Sequence, residues 1–486
     1  MSSNKKIFRN IIATLLGEGV GALLNIYVIV LIARTLGPES FGDFAFILAF
    51  VGLLQLVTDM GVTNLLVREI AQKAEQYKHF FGNVRLLAWA VTLVATAPTA
   101  VVCLLILEDR DFGMSLFIMT VAALIVFHSV IYGALFRAFE RMEFNAAIFV
   151  IHKVILLALT LYWRDHDPSI LALCGYYLLA NVCQFLLFYA CSLAVFKRIP
   201  WRFDPGLWKY VLFESVPIGL SMMCRRATLH VDTLILKAMA APLALGLFNA
   251  AYRVIQIIEM LPFTLSIPIY PKLARLALGD KAEFSRFLNQ VLKFYAILSL
   301  PIVAYVFVFA EDIIGLMYTP EFASSANILQ ALAVAIFFIF PSSIMIYVYS
   351  AMGRQRLFTL ISLATLATNA ILDILLIPHL HAFGAAVGTV TAEALFIAGS
   401  LWFLYRQSVP VQWVRMSYKP LLAALLAGYA VNAAFASPGL LQFILASLLF
   451  AVAYLILILV SKTLDQRELA FLAALIRRRP VGKGVQ

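Results

Sequence analysis

Long apolar runs separated by short polar connectors make up nearly the whole chain. Fourteen of them reach the roughly 18 residues that a helix needs to cross the hydrocarbon core of a bilayer. They fall at about 11–33, 42–63, 84–107, 113–136, 146–163, 169–196, 211–236, 243–268, 288–310, 325–351, 357–377, 383–405, 418–436 and 439–461. In lipid the backbone must satisfy its own hydrogen bonds, so runs this long are expected as helices. The expected fold class is an all-α polytopic membrane protein of about fourteen transmembrane helices. Lys5, Lys6 and Arg9 precede the first run as they would in a secretory signal. That run continues to Ala33, too far for a signal's apolar region, so it is expected as an uncleaved first helix.

Composition agrees: 63% of the 486 residues are hydrophobic and the mean hydropathy is +0.94. The net charge of +11 would suit a nucleic-acid partner, but its distribution argues against one. Sorted by loop parity, 30 of the 37 Lys and Arg residues fall on the side of the N-terminus, with Lys153 among them. The opposite side holds Arg34, Arg110, Arg164 and Lys237, and Arg225, Arg226 and Arg253 lie inside spans. Cytoplasmic loops carry such an excess of cations, so both termini are expected in the cytoplasm. The outer loops are short and leave no room for an outer enzymatic domain. Cys103, Cys174, Cys183, Cys191 and Cys224 all sit in apolar runs without metal-ligand spacing, so neither disulfides nor a metal or other cofactor are expected.

The chain repeats itself. Pro38-Glu-Ser-Phe-Gly42-Asp-Phe44 matches Pro242-Leu-Ala-Leu-Gly246-Leu-Phe248, and Ala138-Phe-Glu-Arg141 resembles Ala351-Met-Gly-Arg354. Thr14, Glu18, Gly21 and Asn25 share the four-three-four spacing of Ser221, Arg225, Thr228 and Asp232. Six spans per half keep both halves in one orientation, as in a parallel repeat. The expected organisation is a first lobe over 1–209, a second over 210–406, two further spans over 407–461 and a basic amphipathic tail over 462–486. The tail's Thr463–Arg479 pattern suits an interfacial helix on anionic lipid.

The stretch from Val211 to Ala241 carries the chemistry. It is long enough to cross a bilayer, yet it holds Glu214, Arg225, Arg226, His230 and Asp232. Ionisable groups at that depth face a bundle interior or a wet cavity and mark pathways. Glu214, Ser221, Arg225, Thr228 and Asp232 step by seven, four, three and four, which aligns them on one helical face. A buried Arg–Asp pair that only fixes packing is the competing reading. Asp373 follows Asn369 by four residues on span 11, and polar contact between helices is an alternative to function there and at Glu393. His128, His152, His379 and His381 have no metal-ligand context.

Residues 33–71, ARTLGPESFGDFAFILAFVGLLQLVTDMGVTNLLVREIA, and residues 232–275, DTLILKAMAAPLALGLFNAAYRVIQIIEMLPFTLSIPIYPKLAR, carry a resemblance. They resemble the two half-signatures of bacterial polysaccharide transporters, the O-antigen and exopolysaccharide repeat-unit flippases. That group shares a superfamily with multidrug extrusion proteins and lipid II flippases. The resemblance implies two six-helix lobes working by alternating access in the bacterial inner membrane, and no catalytic residues. It implies a lipid-linked oligosaccharide held by an undecaprenyl-type diphosphate in a cationic cavity. Arg225, Arg226 and Arg253 stand at the matching positions, and Arg suits diphosphate through paired charge-assisted hydrogen bonds. Asn25, Gln55, Tyr252, Gln256 and Tyr27 are candidates for the sugar. Glu18, Asp59, Asp232, Glu259 and Asp373 are candidates for ion coupling or salt bridges. Partners beyond the substrate are membrane lipids and polysaccharide polymerase machinery. Alternatives are an ion-coupled exporter of small organic molecules, a lipid II-type flippase, or a membrane-embedded glycan polymerase or ligase, the last disfavoured by the short outer loops.

Overall fold

The structure, a computed structural model, describes residues 3–267, 269–434, 440–461 and 463. Side chains are described for all of these except 3–18, 74, 104, 217, 218, 221, 222, 224–226, 229, 432–434, 440 and 441. The described residues are helical with short connectors. In chain order they form α1 (Ser3–Asp59), α2 (Val62–Gln72), α3 (Tyr77–Val101), α4 (Arg110–Ala138), α5 (Met142–His166), α6 (Ile170–Phe196) and α7 (Pro205–Met239). Then come α8 (Pro242–Ser266), α9 (Tyr270–Leu276), α10 (Lys281–Val308), α11 (Ala310–Met317) and α12 (Ser325–Ala351). The last described elements are α13 (Gln355–Arg406), α14 (Trp413–Ala434) and α15 (Leu440–Val460).

Most of each of the fourteen apolar runs lies on one of these helices, the second continuing from α1 across Met60 and Gly61 into the start of α2. Two pairs of runs share a helix. In α1 the break is Gly37, at φ 72° and ψ 173°, a conformation that only glycine adopts without strain. Pro38 then opens the second segment, where a missing N–H costs nothing. The expected eight-residue connector is therefore a single bend. In α13 the break is at His381, at φ 50° and ψ −132°, three residues after Pro378. Side-chain caps start other helices: Asp109 accepts from the Phe112 N–H, Ser169 from Ala172, and Asp204 from Gly206 and Leu207. These caps satisfy donors that a helix start leaves unpaired.

The chain divides into two compact units. The first comprises Met1–Ala250, Met317–Ser324 and Gln355–Gly388. Its core includes Phe81, Ile131, Leu135 and Phe136 at one level and Ile47, Val51, Met119 and Ala122 at another. Arg85, grouped with the loop cations by sequence, is instead buried on α3. It donates to the Ile199 carbonyl at 2.9 Å and the Tyr132 hydroxyl at 3.2 Å, with its guanidinium 3.9 Å from the Trp201 ring centre. These contacts fix the connector between α6 and α7.

The second unit comprises Ala251–Leu316, Ser325–Arg354 and Thr389–Gln486. Here α10 packs on α12, α14 and α15. Tyr305 and Ser447 share a hydrogen bond of 2.7 Å, and Tyr454 donates to the Ile297 carbonyl at 2.7 Å. The last two spans are thereby fastened to α10. Apart from Thr463, the expected tail helix lies outside the described residues.

Candidate functional site

Within the first unit, α1 beyond its bend and α2 run antiparallel to α7. Asp43 pairs with Lys237, Gly52 lies against His230, Gly61 against Gly219, Arg68 against Glu214 and Glu69 against Tyr210. Small residues allow this approach, as they do between helices in lipid. A Cβ on Gly61 would sit 2.7 Å from the Ser215 carbonyl oxygen. At one end the two copies of the Pro-x-x-x-Gly repeat meet each other. A Cβ on Gly42 would lie 2.5 Å from the Pro242 carbonyl oxygen, and one on Gly246 would collide with the Pro38 carbonyl. The contact is reciprocal, as in an interface about a two-fold axis.

Charges close both ends of this seam. Lys237 is ion-paired with Asp43, both side chains about a quarter exposed, and its ammonium sits 4.7 Å from the Phe112 ring centre. Nearby, Arg34 donates to the Met317 carbonyl at 2.7 Å. At the other end the buried Glu69 accepts from the Tyr210 hydroxyl at 2.8 Å and pairs with Arg68 at 3.2 Å and Lys73 at 3.7 Å. A cavity of about 370 Å³ opens beside it, lined in part by Lys73, His79 and Phe80. Glu214 is half-exposed and pairs with Arg68 at 3.6 Å, so it belongs to this end rather than to a mid-span stripe.

A polar cluster lies between α7 and α13. Asp232, Asn369 and Asp373 are 2%, 0% and 0% exposed. The Asp232 and Asp373 carboxyls act directly on each other. Neither polar atom of the Asn369 amide has a hydrogen-bond partner among the described residues, and the polar neighbour of the Asp373 carboxyl is the Asp232 carboxyl. Gly388 backs the cluster: a Cβ there would lie 2.5 Å from Asp373 Oδ1 and 3.5 Å from Asn369 Nδ2. Two buried carboxylates facing each other do not both stay charged without a compensating cation or proton. Oxygen donors of this kind suit a proton or a hard cation.

The other candidates are placed as follows. Asn25 accepts from Lys153 Nζ at 2.8 Å. Gln55 donates to the Ala123 carbonyl at 3.4 Å, and Tyr27 is exposed. Asp59 accepts from the Thr63 backbone N–H at 3.1 Å and from the Thr63 hydroxyl. It thereby secures the first turn of α2, and among the described residues it makes no ion pair. In the second unit Tyr252 is buried and Arg253 Nη1 donates to Gln256 Oε1 at 3.0 Å. Glu259 is partly buried on the same helix. Glu393 accepts from the Ser342 hydroxyl at 2.9 Å, with both residues buried, which agrees with polar packing. The side chains of Glu18, Arg225 and Arg226 lie outside the described residues. Two features were not singled out in the sequence, the Asp43–Lys237 pair and Lys153. Lys153 was counted with the loop cations but stands eleven residues inside α5.

Helices of this number and length define a multi-pass membrane protein, and comparison with solved structures gives the fold its class. A lipid II flippase in an inward closed conformation superposes at a TM-score of 0.76 with 17% identity, covering 92% of this chain and 98% of the other. An inward-facing multidrug resistance transporter superposes at 0.66 with 16% identity, covering 83% and 98%. By sequence, the chain belongs to the polysaccharide biosynthesis protein family, whose profile matches residues 7–277. The MatE family profile matches residues 217–375. The protein is thus a multi-pass transporter of the bacterial inner membrane, in the superfamily of multidrug, oligosaccharidyl-lipid and polysaccharide exporters. A putative O-antigen transporter of Shigella flexneri is 20% identical over 398 residues, 78% of this chain and 93% of that protein. An uncharacterized membrane protein of Methanocaldococcus jannaschii is 27% identical over 157 residues. The chain spans only 31% of the length of that second relative.

Proposed function

We propose that the protein flips an undecaprenyl-diphosphate-linked oligosaccharide repeat unit from the cytoplasmic to the periplasmic leaflet. The observation that carries this reading is membership of the polysaccharide biosynthesis family, extended by a match along 93% of a putative O-antigen transporter. Moving a sugar–diphosphate head group through hydrocarbon costs tens of kcal/mol by Born-type estimates. A cationic cavity lowers that barrier, and Arg225, Arg226 and Arg253 are its proposed donors. Asn25, Gln55, Tyr252 and Gln256 are proposed to hold the sugars. Both termini face the cytoplasm in this reading, the two six-span halves act as lobes in alternating access, and the export path ends near a polymerase.

The Asp232–Asn369–Asp373 cluster is proposed as the coupling site, taking up a proton or an alkali cation during the cycle. It also favours the second reading, an ion-coupled exporter of small molecules, since coupling serves either cargo. The test is depletion of the protein in its host. Lipid-linked repeat units accumulating in the inner leaflet, and restored export from a plasmid copy, are the expected results. Normal surface polysaccharide with no trapped lipid intermediate overturns the flippase reading.

A further inference from the structure

Lys153 is a cation in the middle of a membrane span with no ion-pair partner among the described residues. At about 1.5 Å per residue, its position eleven residues into the 25-residue α5 places it roughly 16 Å from the helix start. Its ammonium donates to the neutral Asn25 amide oxygen at 2.8 Å and lies 5.6 Å from the Phe149 ring centre. Phe149 in turn presses on α1 at Gly21, where any side chain would collide with its ring. None of the ion pairs among the described residues involves Lys153.

Intramembrane cations are costly and normally neutralised by a partner or used on a pathway. An ammonium carries three donors, and the amide takes one. The remaining two donors can meet an oxyanion, whose negative charge would in turn favour the protonated ammonium. Lys153 itself is partly exposed, while the exposed Ile151 and Val154 point to other sides of α5.

We propose that Lys153, held in place by Asn25 and Phe149, is an anion subsite that binds a phosphate group of the lipid diphosphate. The proposal rests on the flippase reading and adds a phosphate contact on the first half of the chain, on α5, to the arginines proposed on α7 and α8. A structural role would need only the hydrogen bond to Asn25, which a neutral donor also supplies. A subsite needs the charge.

The test uses the purified full-length chain in detergent, with binding read by native mass spectrometry. The probes are undecaprenyl diphosphate, undecaprenol, phosphatidylglycerol and inorganic pyrophosphate. The wild type is expected to bind the lipid diphosphate in preference to the neutral alcohol. Lys153→Met and Lys153→Gln are expected to weaken the diphosphate about 10- to 100-fold, the loss of one charge-assisted contact, with undecaprenol unchanged. Lys153→Arg should stay within about threefold, since it keeps the charge. Competition by phosphatidylglycerol would identify a phospholipid headgroup site, and competition by pyrophosphate alone a free-phosphate site; either overturns the assignment to the carrier. Equal diphosphate affinity in the wild type and in both neutral variants also overturns it, leaving the flippase reading intact. A wild type that binds no lipid diphosphate overturns the flippase reading itself. If Lys153→Met does not fold, Lys153→Gln, which keeps a neutral hydrogen-bond donor, decides the same question.

Discussion

Asp373 is the residue on which the proposed coupling site turns. Its carboxyl is fully buried against Asp232, with the Asn369 amide beside it and Gly388 leaving the space. A ligand that binds only the folded state stabilises it by about 2.7 kcal/mol at a hundredfold excess over its Kd. In detergent, the wild type is therefore expected to melt higher in sodium chloride than in choline chloride if an alkali cation is taken up. It should instead melt higher at lower pH if a proton is. Asp373→Asn should abolish that response, and Gly388→Val should mimic it by pushing on the carboxyl. A response unchanged in Asp373→Asn would move the coupling site elsewhere. Asn369 and Asp373 were legible in the sequence because a four-residue step fixes a shared helical face. Lys153 was not, because one cation inside an apolar run barely alters its hydropathy and parity counting assigns it to the nearest loop. Asp59 was read as an ion-coupling or salt-bridge candidate, and its partner turned out to be the next helix start, Thr63. Local capping of that kind competes with every long-range reading of an acidic residue near a bend.

At the scale of elements, the antiparallel seam of α1 and α2 with α7 depends on two ingredients, glycines and end charges. The Asp43–Lys237 pair is only about a quarter exposed, so removing one partner leaves a poorly solvated charge. Asp43→Asn or Lys237→Met is expected to destabilise the protein by about 1.5–3 kcal/mol, the range for hydrogen bonds to charged groups. The double change should cost less than the sum, as coupled neighbours do. A thermal-melt cycle of the four proteins in detergent checks this, and strict additivity would deny the pair any role. Gly246→Val, driven into the Pro38 carbonyl, should lower folded yield more than either charge change. The spans themselves were legible because lipid leaves the backbone no other option. The seam was only half legible. The repeated Pro-x-x-x-Gly-x-Phe motif was visible, but nothing in a linear pattern says that its two copies touch.

For the whole molecule, the strongest claim carried by sequence is orientation, and it is open to direct measurement. Cations lie overwhelmingly near the ends of alternate helices, and among the described residues the structure places three of those tallied with the loops, Arg85, Lys153 and Lys293, well inside helices. Without those three, 27 remain on one side against four on the other, still far from balance, so the positive-inside expectation is unchanged. It holds only if the count of spans is even. The bends at Gly37 and His381 are where the count could fail, because each merges two runs into one continuous helix. If both bends reverse the chain across the bilayer, single cysteines introduced at Gln355 or Ser408 in a cysteine-free background should react only after the membrane is permeabilised. Cysteines at Asp109, Asp167 or Ala241 should react with an impermeant maleimide in intact cells depleted of outer membrane. Labelling of Ser408 from outside while Gln355 stays protected would mean that α13 crosses once, and the two-lobe organisation would lose its parity.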